Sequence, residues 1–588
     1  MTAGGASGDG LDRLAMAVLQ PGFEGTEPPA WLLRALADGL GGVVLFARNV
    51  TRAAPRAGGP GPADRAAGGA VPGAAGPADA GDGTRALVAA LRRERPDVIV
   101  AVDEEGGSVT RLEAATGSSW PGNLALGVAD DESLTRRVGR QIGRMVAAAG
   151  VTLDYAPVVD VNADPRNPVI GVRSFGSDPE AVGRHGAAWI EGLQSAGVAA
   201  CAKHFPGHGD TVTDSHLALP AVRASRELIE RRDLPPFRAA IAAGVRAVMC
   251  GHLLVPAVDV LPATLSRTVL TGLLREEMGF GGLVVTDAIE MRAVAALHAP
   301  GEIAVRALAA GADAICVGVS SAGGESVYAL RDAITAAVRE GRLKEDRLAE
   351  AAGRVRDLAA WYDARADDRA AAAGDADEDL GLAAAAAALR VTAALTTATP
   401  TTEPMAAEPT TPTMPATPIT PPTPAVPAVP AEEAARAAGA TGEAAEAGGP
   451  GVLAGAPLVV SMAARPSQAV GRVTPLTLGQ ALAEILPGTV TAEVTDEVTD
   501  EVNYEEAAPG LLALLGDTGR PLVIAVHDAV RHAWMRRLLE EALRARPDAV
   551  VVETGVPGTP AGRLYLATHG NSAASARAAA RWLAGRPR

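Results

Sequence analysis

The chain has 588 residues, a length for two to four domains, and its 48% hydrophobic content can fill large cores. Aromatic residues make up only 3%, so those cores must be mostly Ala, Val and Leu. A net charge of −16 argues against nucleic acid and anionic membrane surfaces as partners, because binding there depends on Lys and Arg neutralising phosphates.

From the N-terminus, MTAGGASGDGLDRLAMAV shows no basic segment followed by an apolar one. No uninterrupted apolar run approaches the ~18 residues of a membrane span. The expectation is a cytoplasmic protein with no membrane contact. Leu32–Leu40 reads as a helix and Gly41–Ala47 (GGVVLFA) as a buried strand. Residues 51–83 are Ala, Gly and Pro without periodicity, which reads as a disordered insertion in a surface loop.

A rhythm follows. Val98–Asp103, Thr152–Val161, Ala199–His204, Ala247–His252, Leu283–Asp287 and Ala314–Val317 are short apolar strand candidates. Amphipathic segments lie between them, among them Glu132–Ala148, Ala181–Ala196, Ser225–Ala243 and Leu270–Met278. Continuous apolar strands alternating with helices indicate a parallel sheet covered on both faces. With Gly41–Ala47 they make seven strands, which fit a (β/α)8 barrel with one strand unrecognised. Several strands end in a polar residue, Asp103, His204, His252 or Asp287. Barrel enzymes carry their chemistry at those ends, whereas a doubly wound sheet would gather polar ends at one switch point.

The barrel unit is expected over residues 1–365, with 366–386 as a connector and 387–588 as a smaller α/β sandwich domain. A Thr/Pro/Ala-rich stretch at about 396–450 reads as a disordered insertion there. Beyond it, Pro457–Met462, Pro521–His527 and Ala549–Glu553 read as strands; Leu476–Leu486, His532–Arg546 and Ser572–Ala584 read as helices. The acidic near-repeat Glu493–Val502 reads as a solvated loop or an edge strand. Cys201, Cys250 and Cys316 are too few and too dispersed for a disulfide framework or a zinc site.

The chemistry concentrates in Lys203–His216, KHFPGHGDTVTDSH, which holds three of nine histidines and one of two lysines. An Asp beside an imidazole fixes its tautomer and raises its pKa, so Asp214 and His216 are a candidate acid/base pair. A turn capped by Asp214 is the bland alternative. A metal site built from His204, His208, Asp210, Asp214 and His216 is a third. Lys203 stands out because the chain otherwise writes Arg, so a compact ammonium is called for there. Asp287 closes a buried strand and is a candidate nucleophile, or else the N-cap of the helical segment behind it. Asp103 precedes two glycines that would let backbone approach a ligand. Arg111 and Arg173 are individually weak signals.

Together KHFPGHGDTVTDSH, VVTDAIEM, NPVIGVRSFG, DEEGG, GGVVLFARNV and GHLLVPAVD…PATLS resemble glycoside hydrolase family 3, in its β-N-acetylglucosaminidase branch. The resemblance is strong over about 12–365 and looser over 457–588. It implies a retaining exo-β-N-acetylglucosaminidase without metal or cofactor. Asp287 would be the nucleophile and His216 the acid/base, tuned by Asp214. Asp103, Arg111, Arg173, Lys203 and His204 would hold the sugar's hydroxyls and acetamido group. The implied substrates are saccharides or cytoplasmic muropeptides of peptidoglycan recycling. A monomer is compatible with the resemblance. Two alternatives accompany it: a β-N-acetylglucosaminide phosphorylase, since a neutral His does not repel phosphate, and a non-catalytic saccharide-binding barrel. Ser108, after EGG, departs from the Arg that many relatives carry.

Overall fold

The computed structural model describes residues 8–50, 78–215, 217–318, 320–393, 443–444, 452–464, 476–495, 515 and 519–586. The first unit starts with β1 (Leu19–Pro21), β2 (Gly42–Leu45), β3 (Ile99–Val102) and β4 (Leu153–Asp154). It continues with β5 (Ala199–Phe205), β6 (Ala247–Cys250), β7 (Leu283–Thr286) and β8 (Ile315–Val317). Strands β2 to β7 pair in parallel in chain order, and β1 pairs in parallel with β8. Parallel bridges Gly22↔Val44 and Val285↔Ala314 join the two sets, so eight strands close into a ring. The expected (β/α)8 barrel is present.

Strand periodicity explains why the barrel is stable. Ile99, Ala101, Ala199, Cys201, Ala247, Met249, Leu283, Val285, Ala314 and Cys316 pack together as one buried cluster. Their neighbours Val100, Val102, Ala200, Ala202, Val248, Cys250, Val284 and Ile315 belong to a second, larger cluster. Successive strand residues point to opposite faces, so the first set fills the barrel and the second meets the surrounding helices. Ala and Cys keep the interior narrow, which is how a chain poor in aromatics still packs it. All three cysteines are buried and unbonded to one another.

The unrecognised strand is β1. Three residues, one of them Pro and one a fully buried Gln20, make no apolar run. The side-chain oxygen of Gln20 finds its donor only in the fold, where the Tyr155 hydroxyl reaches it at 2.5 Å. The strand expected over 152–161 shortens to two residues because Pro157 lacks an N–H for the ladder. The helix expected over 225–243 divides into Arg226–Arg232 and Leu234–Ala242, the second beginning at a Leu-Pro-Pro start. The insertion expected over 51–83 is shorter at its C-terminal side, since the helix Ala78–Glu94 already includes residues 78–83. The remainder of that stretch lies outside the described residues.

Downstream, the stretch read as a connector is helical, at Ala366–Ala373 and Leu380–Ala387. The second sheet contains β9 (Arg390–Ala393), β10 (Glu443–Ala444), β11 (Leu458–Ala463) and β12 (Val490–Thr495). It is completed by β13 (Leu522–Val526), β14 (Val550–Glu553) and β15 (Leu564–Ala567). Among the described residues its order is β10-β9-β15-β14-β13-β11-β12. Strands β11 to β15 are parallel, and β9 runs antiparallel beside β15. Leu478–Ile485 and Ala573–Leu583 cover one face, and Ala533–Ala545 the other. This is the expected α/β sandwich. The acidic repeat enters it as β12, an exposed edge strand; residues 496–502 lie outside the described residues. Charge on an edge discourages pairing with other chains. The second unit meets barrel loops: Ala574 N–H donates to the Ser118 carbonyl and Arg390 to that of Val128.

Candidate active site

Asp103, His204, His252 and Asp287 stand at C-terminal ends of barrel strands, the face where this architecture gathers function. The closest packing of charge there is a chain of alternating sign. Lys203 Nζ lies 2.7 Å from Asp103 Oδ1 and 2.7 Å from Glu105 Oε1. Glu105 in turn accepts two bonds from Arg173, at 2.7 and 2.9 Å. Arg111 Nη2 stands 3.9 Å from the other oxygen of Asp103. Side-chain exposure separates the members: Glu105 and Lys203 are 3% and 2% exposed, Asp103 is 19%. Asp103 therefore forms the accessible lip, and Glu105 is the sealed counter-ion that lets two cations sit together.

Burial alone would raise the Glu105 pKa, but the charges and hydrogen bonds of Arg173 and Lys203 outweigh it and hold the carboxyl well below its usual range. Burial likewise opposes the Lys203 ammonium, yet Asp103 and Glu105 keep it protonated above its ordinary value. Both groups are charged at neutral pH. Arg173 also donates Nη1 to the Val169 carbonyl at 2.9 Å, so three of its five N–H groups are committed within the chain.

Beside this array a second buried carboxylate organises the histidines. Asp160 Oδ1 accepts the His204 and His208 backbone N–H groups at 3.1 and 2.8 Å, and Oδ2 takes His204 Nδ1 at 2.8 Å. Burial would raise the Asp160 pKa, but His204 and these bonds lower it. The carboxylate fixes the His204 proton on Nδ1. Lys203 and His204 are neighbours in β5, yet both serve the site. The register between β5 and β6 shifts at Lys203/Phe205, which breaks strand alternation.

Asp287 follows β7, with its N–H donating to the Cys250 carbonyl and its Oδ1 accepting from Ala288 N–H at 2.8 Å. Fully buried His252 braces the same spot, its Nε2 donating to the Ala288 carbonyl at 3.0 Å. Asp214 sits half-buried at the start of a turn in which Leu217 and Ala218 N–H both reach its carbonyl. His216 lies outside the described residues. Gly209 packs its Cα against Val161, whose carbonyl oxygen would be 1.7 Å from an added Cβ.

Residues 74–358 match the glycosyl hydrolase family 3 N-terminal domain. A β-hexosaminidase of Pseudomonas aeruginosa is 38% identical over 47% of this chain and 74% of its own. The chain belongs to glycoside hydrolase family 3. It is accordingly a glycoside hydrolase acting on O-glycosyl bonds. Beta-hexosaminidase A of Pseudoalteromonas piscicida is 36% identical over 39% of this chain and 42% of its own, so the chain spans less than half of that relative. Among solved structures, a family 3 β-N-acetylglucosaminidase from Paenibacillus sp. str. FPU-7 superposes with a TM-score of 0.74 at 30% identity. That match covers 98% of this chain and 97% of the other.

Within this family 3 chain the fold brings Asp103, Arg111, Arg173 and Lys203 into one array, with His204 next to it. Sequence reading missed the two carboxylates that order them. Glu105 was hidden inside DEEGG, where Asp103 drew attention, and Asp160 inside an apolar run broken by Pro157. The glycines of DEEGG have a structural duty. Gly106 and Gly107 have φ of 74° and 62°, and an added Cβ on Gly107 would strike Gly122 backbone at 2.6 Å. They permit a turn against the chain's own backbone. Among the described residues no group of three or more His, Cys, Asp or Glu is placed to hold a metal. None of the described helices is long and apolar enough to cross a membrane.

Proposed function

We propose that this chain is a retaining exo-β-N-acetylglucosaminidase. The observation that carries the reading is the buried Lys203, held 2.7 Å from both Asp103 and Glu105 at the strand ends where Asp287 also stands. Such an array is small enough to grip one sugar through its hydroxyls. The relatives described as β-hexosaminidases favour a terminal N-acetylhexosamine as that sugar.

In the proposed cycle the Asp287 carboxylate attacks the anomeric carbon while His216 gives its proton to the glycosidic oxygen. The bond to the leaving group breaks and a glycosyl ester forms on Asp287. His216, now neutral, takes a proton from water, whose oxygen attacks the same carbon and frees Asp287. Two inversions give net retention. Here a histidine supported by Asp214 does what a second carboxylate does in most retaining enzymes. Asp103, Arg111, Lys203, His204 and the uncommitted N–H groups of Arg173 hold the hydroxyls and acetamido group. Terminal N-acetylglucosamine of cytoplasmic peptidoglycan fragments is the natural substrate in this reading.

The test is turnover of a chromogenic N-acetyl-β-D-glucosaminide by the full chain and by Asp287→Asn, with a fluorosugar adduct mapped by mass spectrometry. Full activity in Asp287→Asn, or an adduct on another residue, overturns the reading. Parallel reactions on a muropeptide with and without phosphate separate release of free sugar from release of a sugar 1-phosphate.

A further inference from the structure

His208 has no part in the cycle above, yet it is 2% exposed and both ring nitrogens have partners. Its Nδ1 lies 2.9 Å from Thr211 Oγ1 and its Nε2 lies 3.3 Å from Ser215 Oγ. The surrounding bonds assign the tautomer. Thr211 uses its hydroxyl proton on the His208 carbonyl at 3.1 Å, so its oxygen accepts from Nδ1–H. Nε2 is then an acceptor, and the Ser215 hydroxyl donates to it. Burial drives the imidazole pKa down to about 4, so the ring is neutral and this arrangement holds at working pH.

The position of Ser215 in the chain gives the contact its meaning. Ser215 separates Asp214 from His216. Its carbonyl accepts from Ala293 N–H at 3.3 Å, on the segment following Asp287. Its hydroxyl reaches His208, whose N–H shares Asp160 with the His204 backbone and ring. The rings of His204 and His208 meet edge to face with centroids 6.0 Å apart. One buried carboxylate thus supports both the residue that would grip the sugar and the residue that holds the loop.

We propose that His208 is a positioning residue for the acid/base step: its ring fixes Ser215, and through it the loop backbone that carries Asp214, relative to the sugar-binding floor. This rests on the reading of Asp214 and His216 as the acid/base dyad.

The experiment compares two aryl N-acetyl-β-D-glucosaminides, one with a 2,4-dinitrophenolate leaving group that departs without a proton and one with a phenolate that needs it. The variants are Ser215→Ala, His208→Asn, His208→Gln and, as the reference, His216→Ala. General acid catalysis contributes about 10²–10⁴-fold, and a displaced acid should forfeit part of that. Ser215→Ala and His208→Asn are expected to lose about 10–100-fold in kcat/KM on the phenyl substrate, and only a few-fold on the dinitrophenyl one. His208→Gln, whose amide oxygen can replace Nε2 as acceptor, should recover most of the loss. Competitive inhibition by N-acetylglucosamine should be unchanged in all variants, showing an intact sugar-binding floor. Equal losses on both substrates, or no loss, overturn the proposal. So does recovery by Asn but not Gln. Ser215→Ala removes a single hydroxyl and decides the matter if the His208 variants do not fold. If His216→Ala shows the substrate split and Ser215→Ala does not, only the proposal falls. If His216→Ala shows no split, the dyad reading falls and the proposal with it.

Discussion

Replacing Glu105 by Gln is the sharpest test of how the sugar-binding face is held together. The carboxylate touches Lys203 at 2.7 Å and Arg173 at 2.7 and 2.9 Å, and its side chain is 3% exposed. At 2.7 Å and an effective dielectric of about 20, the Lys203 contact is worth about 6 kcal/mol before desolvation, with Arg173 comparable. Desolvation of three ions offsets most of that. What remains on removing one partner is two buried cations facing each other, a net cost of about 3–5 kcal/mol. With an unfolding entropy of about 2.1 cal/mol/K per residue over about 350 residues, that lowers Tm by roughly 4–7 °C. Thermal unfolding at pH 7, followed by circular dichroism, measures it. KM for the chromogenic substrate should rise in parallel, because Lys203 and Arg173 lose the group that aligns them. The pH dependence carries a second signature. The folded pKa of Glu105 is depressed, so its contribution is complete above an unfolded value of about 4.3 and is lost as pH falls below that. Wild type should therefore lose stability on acidification more steeply than Glu105→Gln. A Tm shift under about 1 °C at pH 7 would refute the reasoning, since less than about 1 kcal/mol would then separate the paired from the broken array.

Glu104 should behave in the opposite sense. Burial, reinforced by the Glu113 charge, raises its folded pKa to about 7, so the folded state binds the extra proton and stability falls as pH rises from about 4.3 to about 7. Glu104→Gln has no proton to lose and should gain stability over wild type across that window, by at most roughly 4 kcal/mol above pH 7; equal Tm differences at pH 5 and pH 8 would contradict this. Fully buried Asp313, at the foot of β8, joins Arg275, Arg347, Arg354 and the Val284 N–H. Asp313→Asn should cost about 3–5 kcal/mol in a urea titration, with kcat/KM of the folded enzyme unchanged because the contact is at the end of the barrel away from the site. Gly209→Ala puts a Cβ 1.7 Å from the Val161 carbonyl. It should push the Asp214 loop away from the Val161 segment that follows β4 and lower kcat/KM far more than Tm, and unaltered kinetics would show that the loop tolerates displacement.

Two kinds of information were divided between the chain and its fold. Apolar strands alternating with amphipathic helices were enough to indicate a barrel, because strand burial on both faces leaves a local signature at every repeat. Lys203 was conspicuous because the chain writes Arg nearly everywhere else, and Asp103, His204 and Asp287 because a polar side chain closing an apolar run is a local event. Strand β1 was illegible: the side-chain oxygen of its buried Gln20 takes its hydrogen bond from Tyr155, 135 residues away. The partners of the charged groups were equally invisible. Glu105 and Arg173 are 68 residues apart, Lys203 and Asp103 100, and Asp160 and His204 44. No spacing rule predicts which buried carboxylate neutralises which cation, since that depends on where parallel strands end in the closed ring. The residue types able to do the chemistry were thus determined by the sequence alone. Which of them are charged, paired and held still was decided only by the tertiary structure, because desolvation and Coulomb attraction act over distances in space that the chain's order does not record.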